Sequence, residues 1–150
     1  MDLNNNEKRY YMKDKIQEEI IEEFSMFDDW LDRYDYLIGL SESLPLIDPT
    51  HKTEQYIIEG CQSRVWVDAQ LGEDGKVYYS ADSDAIIVKG IVSLLCRVFS
   101  GRTPQEIIDL DLYFIEAIGL KENLSPTRGN GVLSTIKQMR LFALAFSAKQ

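Results

Sequence analysis

The stretch Arg64-Val65-Trp66-Val67-Asp68-Ala69-Gln70-Leu71, with Lys76-Val77-Tyr78-Tyr79-Ser80-Ala81 just after it, decides the fold. In the first run Val65, Val67, Ala69 and Leu71 point one way and Arg64, Trp66, Asp68 and Gln70 the other, the alternation of a half-buried strand. In the second, Val77, Tyr79 and Ala81 share a face. A tight Asp74-Gly75 turn would pair Leu71 with Tyr78 and Val67 with Asp82, setting an apolar face against a polar one. A Glu73-Asp74-Gly75 loop instead pairs Leu71 with Val77, Ala69 with Tyr79 and Val67 with Ala81. The apolar faces then agree, and Gly75 falls where such loops take a left-handed residue. A hairpin in this register is expected, with Tyr56-Ile57-Ile58 as a candidate third strand.

Helical patterns flank the hairpin. From Lys15, the residues Ile16, Ile20, Ile21 and Phe24 recur at helical spacing among solvated glutamates. Asp28 or Asp29 can cap a second helix, with Trp30, Leu31, Tyr34, Leu37 and Ile38 on one side, ending near Leu44 because Pro45 disfavours helix before it. Ala85 to Phe99 is apolar nearly all round, broken only by Lys89, Ser93 and Arg97. It reads as a central buried helix with Ser83 as its cap and Asp84 in its first turn. Pro104 opens a short helix through Ile108, Leu112 to Ile118 offers another, and a last helix runs from about Asn130 to Ala148. Val132, Leu133, Ile136, Met139, Ala143, Leu144 and Phe146 are its candidate core residues. Helices around one small antiparallel sheet make an α+β class. Residues 1–13 read as a flexible segment and 14–150 as a single domain.

Composition bounds the function. The chain has 150 residues, 45% of them hydrophobic, and a formal net charge of −9. The acidic balance argues against nucleic acid, whose binding rests on cations against phosphate. No run of about 18 apolar residues suggests a membrane span, and the polar start lacks the apolar core of a signal peptide, so a cytoplasmic location is expected.

Two cysteines remain for chemistry. Cys96 lies in the apolar central helix, between Leu95 and Arg97, where a thiol packs as a small hydrophobe. Cys61 sits in a polar turn, Gly60-Cys61-Gln62-Ser63, just before the first strand. Gly60 permits unusual backbone angles and close approach, while Arg64 and the polar loop could favour the thiolate. The residues alone leave open whether Cys61 is reactive, since thiolate character depends on burial. No paired-cysteine or paired-histidine spacing supports a metal site with His51, and nothing near Cys61 matches a hydrolase signature.

The run Gly60-Cys61-Gln62-Ser63-Arg64-Val65-Trp66-Val67 resembles the signature segment of the SufE family of sulfur acceptors. Asp82-Ser83-Asp84-Ala85-Ile86-Ile87-Val88-Lys89-Gly90 is similar to a second block of that family, and Ser125-Pro126-Thr127-Arg128-Gly129-Asn130-Gly131 to a third. Order and spacing fit, and the likeness covers roughly Phe24 to Ala148. One departure is Tyr56, where the family often has Asn five positions before the cysteine.

The resemblance implies a SufE-like sandwich of helices over an antiparallel sheet. It implies a sulfur carrier: Cys61 takes persulfide sulfur from a SufS-type cysteine desulfurase, stimulates it, and delivers sulfur to a cluster scaffold complex for iron–sulfur assembly. Such a chain is an acceptor and activator rather than a free-standing enzyme. Pyridoxal phosphate then belongs to the desulfurase, with no cofactor in this chain. Gly60, Gln62 and Ser63 would shape the loop and support a persulfide anion. Arg128 is the candidate cation near the loop or docking face, with a plain surface arginine as the other reading. Asp82 and Asp84 are expected to cap the central helix, with partner contact secondary for Asp84. Trp66 is expected to pack under the outer helices. A regulatory binding module without sulfur chemistry, and a cysteine redox sensor, are the alternatives that replacement of Cys61 separates.

Overall fold

A computed structural model describes residues 13–149. The flexible segment expected over residues 1–13 lies outside the described residues but for Lys13. Strand β1 (Val65–Leu71) pairs antiparallel with β2 (Val77–Ser83), with Val67 opposite Ala81, Ala69 opposite Tyr79 and Leu71 opposite Val77. This is the register that matching apolar faces requires. Gly75 takes φ +77° at the loop, and the Gly72 N–H meets the Lys76 carbonyl at 2.8 Å. Among the described residues the sheet has these two strands only. The expected third strand shrinks to one bridge, Ile57 to Trp66, with the Ile58 N–H on the Val65 carbonyl at 2.8 Å. The chain before it coils into a 3₁₀ turn over Glu54–Tyr56 in place of an extended strand. On the other edge, Ala81 exchanges bonds with Pro45 and Ile47, so both edges are covered by loops.

Seven helices surround the hairpin among the described residues: α1 (Lys15–Ser25), α2 (Trp30–Leu40), α3 (Ile86–Phe99), α4 (Pro104–Asp109), α5 (Phe114–Ala117), α6 (Leu120–Asn123) and α7 (Pro126–Ala148). The class is α+β, as expected. Asp29, not Asp28, caps α2, accepting the Asp32 N–H at 2.9 Å. Leu37 is fully buried, but Leu31 faces solvent. Helix α3 is the centre of the core, with Ile91, Leu94, Leu95, Cys96, Val98 and Phe99 at most 1% exposed. A Cβ on Gly90 would lie 2.1 Å from the Leu37 carbonyl oxygen, so this glycine sets how closely α3 crosses α2. Tyr79 ties β2 to α7 by donating its hydroxyl to the Met139 carbonyl at 2.6 Å.

Four expectations are corrected. Ser83 and Asp84 do not cap α3, whose N-cap position is Ala85. The hairpin ladder continues to Val65 opposite Ser83, and pairing with the Arg64 backbone takes both side chains. Asp82 pairs instead with Lys52 at 2.9 Å and Lys89 at 3.2 Å. Helix α7 begins at Pro126, not Asn130: Ser125 accepts the Arg128 N–H at 3.3 Å, and proline at the first position forfeits no hydrogen bond. Its Leu133 and Leu144 are exposed rather than core. Trp66 meets the segment before β1, with the Lys52 ammonium 4.8 Å from its ring centre and a bridge to Ile57, where packing under the outer helices was expected.

Gly90→Ala is expected to cost about 3 kcal/mol, because the clash falls on backbone rather than on a flexible side-chain tip. Urea unfolding should show a lower midpoint with an unchanged slope; an unchanged midpoint contradicts the close crossing.

Candidate functional site

The loop that carries Cys61 is fastened at both ends. Before it, the Ile58 N–H bonds to Val65. After it, the Arg64 N–H donates to the Asp84 carboxylate at 3.0 Å, and the Arg64 carbonyl accepts from the Ser83 hydroxyl at 2.8 Å and the Asp84 N–H at 3.3 Å. Between these anchors, the Cys61 thiol donates to the Gly131 carbonyl of α7 at 3.5 Å. Gly60 has φ +87°, and a Cβ there would sit 2.9 Å from Ser134 Oγ. The loop therefore turns at a glycine directly against α7 and lays the thiol on the helix beside Gly131.

The thiol is half-buried in a cleft of about 20 Å³, on the scale of one water molecule. Gln62, Ser63, Val88, Thr127 and Arg128 share in its lining. Burial pushes the Cys61 thiol above its ordinary value, with the Thr135 hydroxyl acting weakly the other way. Arg64 is exposed and is not among the groups that move it. The expected assistance to a thiolate from that guanidinium is absent; Arg64 serves through its backbone. Arg128 is exposed on the cleft rim and makes no ion pair with a described residue. In this cleft, then, the cysteine is a shielded thiol whose burial disfavours the thiolate. Cys96 is 1% exposed and burial pushes it up to about 12, the behaviour of a core residue.

The expected residues Gly60, Cys61, Gln62, Ser63 and Arg128 do converge, and Asp84 reaches the loop as an anchor rather than a cap. Ser134 and Thr135 were not anticipated; Thr135 is 1% exposed and donates to the Gly131 carbonyl at 2.8 Å. Their signal was the spacing of Gly131 and Thr135, one helical turn apart on a small-residue face. Tyr56, the departure from the family pattern, stacks on His51 at 4.7 Å, and His51 Nδ1 lies 2.8 Å from the Asp68 carboxylate. A ring stack and a histidine–carboxylate pair thus hold the segment leading into the loop. No group of three potential metal ligands converges among the described residues.

Residues 18–143 match the SufE family, described as an Fe-S metabolism associated domain. An uncharacterised SufE-like protein of Synechocystis is 41% identical, over 87% of this chain and 82% of its own length. A SufE-like protein of Rhizobium etli is 39% identical, over 82% of this chain and 86% of the relative. SufE-like protein 1 of Arabidopsis thaliana, described as chloroplastic/mitochondrial, is 37% identical over 90% of this chain, which spans 36% of that longer protein. A hypothetical protein of Thermus thermophilus solved in solution shares the fold at TM-score 0.73, with 21% identity, covering 89% of this chain and 96% of that one. The chain belongs to the SufE family, and its role lies in the sulfur side of iron–sulfur metabolism. No helix of the described residues is long and apolar enough to cross a membrane.

Gly60→Ala adds left-handed strain of about 1–2 kcal/mol and a contact with Ser134, both relieved by lifting the loop. Alkylation of Cys61 by iodoacetamide, followed by mass spectrometry, should accelerate about tenfold while Cys96 stays unmodified. An unchanged rate at Cys61 contradicts the packed resting loop.

Proposed function

We propose that Cys61 is a sulfur acceptor for a SufS-type, pyridoxal-phosphate-dependent cysteine desulfurase, stimulates its turnover, and passes the sulfur to a cluster scaffold complex. What supports the reading most is the placing of Cys61. It is one thiol on a short loop, anchored at Ile58 and Arg64, and laid in a small cleft where it donates a long hydrogen bond to the Gly131 carbonyl. A loop so built can swing out without disturbing the hairpin.

The exchange balances without an oxidant. The Cys61 thiolate attacks the outer sulfur of the desulfurase persulfide and a new S–S bond forms on Cys61. The bond between the two desulfurase sulfurs breaks, and its electron pair leaves with the desulfurase cysteine as a thiolate. The proton lost from Cys61 passes to solvent or to that leaving thiolate. Burial holds the thiol protonated at rest, so leaving the cleft both exposes Cys61 and lowers its proton affinity. Gln62 and Ser63 travel with the cysteine and offer hydrogen bonds to the persulfide anion, while Arg128 supplies a cation on the rim. The chain holds no cofactor of its own in this reading, and the exchange is cytoplasmic.

The test is intact mass and peptide mapping after incubation with an active cognate desulfurase and free cysteine. A reducible gain of one or more sulfur atoms is expected on the Cys61 peptide and not on Cys96. Cys61→Ser should abolish both the gain and the stimulation of sulfide release. Stimulation that survives in Cys61→Ser would sink the carrier role in favour of a regulatory binding module.

A further inference from the structure

Helix α7 carries cations and no carboxylate. Residues 126–150 hold Arg128, Lys137, Arg140 and Lys149 and none of the chain's 25 Asp and Glu residues, in a protein of net charge −9. The same helix exposes Leu133 at 65%, Leu141 at 45% and Leu144 at 53%. With Ile108 of α4 these leucines wall a groove of about 360 Å³, whose remaining lining includes Lys137 and Arg140 and no carboxylate.

The two cations are differently placed. Lys137 is exposed and forms no ion pair with a described residue. Arg140 donates to the Leu110 carbonyl at 2.7 Å and lies 6.0 Å from the Phe99 ring centre. Its Nε–H is buried with no acceptor, the one such side-chain atom among the described residues. The groove thus joins unburied leucine surface to a guanidinium whose hydrogen-bonding need the chain does not meet.

We propose that this groove docks an acidic amphipathic helix of a protein partner. Leu133, Lys137, Arg140 with Leu141, and Leu144 recur at three- and four-residue steps, the ridge pattern that takes a helix. They span about 16 Å of axis, three turns of a partner helix. Leucines of that helix cover the stripe, and its flanking carboxylates face Lys137 and Arg140. A second copy of this chain fits less well, because pairing the stripe with itself brings Lys137 and Arg140 against their own counterparts. An anionic membrane fits less well, since a flat headgroup surface does not fill a groove walled by α4 and α7. The inference goes beyond the sulfur-acceptor reading and does not rest on Cys61.

The test uses the full chain and a fluorescent synthetic helix of about 18 residues, about 27 Å long, with leucines on one face and glutamates flanking them. A counterpart carries lysine for glutamate. Anisotropy should show binding of the acidic helix, weakening with salt, and at least tenfold weaker binding of the lysine helix. The double replacement Leu141→Ser with Leu144→Ser should cost about tenfold or more with the circular dichroism spectrum unchanged, since both leucines are half exposed. Lys137→Glu should shift preference toward the lysine helix. Equal binding of both helices, no binding of either, self-association lost in the leucine variant, or retention of the chain on phosphatidylglycerol vesicles through this face would each overturn the proposal.

Discussion

The peptide groups at Arg64 are held from three sides, by the Asp84 carboxylate on the N–H and by the Ser83 hydroxyl and Asp84 N–H on the carbonyl. At about 1 kcal/mol each, these bonds are a substantial clamp for one residue. They close the hairpin where β1 begins and bring the start of α3 alongside. They also end the Cys61 loop at a fixed point. Had Ser83 and Asp84 capped α3 instead, the loop would have no rigid exit and the thiol no defined cleft.

Against that fixed point the cysteine balances burial and access. Resting in the cleft beside Gly131 shields it in part from water and disfavours the thiolate. The contact with Gly131 is a long hydrogen bond donated by the thiol to a carbonyl. In the sulfur-acceptor reading proposed above, reactivity is tied to position: burial disfavours the thiolate in the cleft, and exposure on docking favours it. A sulfur carrier needs this, since an exposed persulfide or thiolate would exchange with any thiol it meets.

The hairpin register was legible because one wrong residue in the turn turns every apolar side chain to the wrong face, and only one loop length avoids it. Cys61 was legible as a candidate because it lies in a polar turn just before the first strand, within the segment that resembles the family signature. Asp84 was misread because capping is a local rule, and here a partner twenty residues earlier in the chain competes successfully for the carboxylate. Ser134 and Thr135 escaped notice because their contact with the loop spans some seventy residues, beyond any periodicity. Leu133 and Leu144 were assigned to the core because a long apolar helix has more leucines than one packed face can cover. Periodicity does not say which are left outside.

In the proposed sulfur-acceptor role, the proton affinity of Cys61 changes with its position. The direct measurement is the carbon-13 Cβ shift of labelled Cys61 titrated against pH. It is made on the free chain and on its complex with a desulfurase whose acceptor cysteine is replaced by serine. In the free chain the thiol should titrate above the ordinary cysteine value, because burial penalises the thiolate. Its thiolate fraction at neutral pH is then small and rises only as the solution becomes more alkaline. In the complex the midpoint should fall to or below the ordinary value. A free-chain midpoint already below ordinary, or one that does not move on docking, contradicts the account.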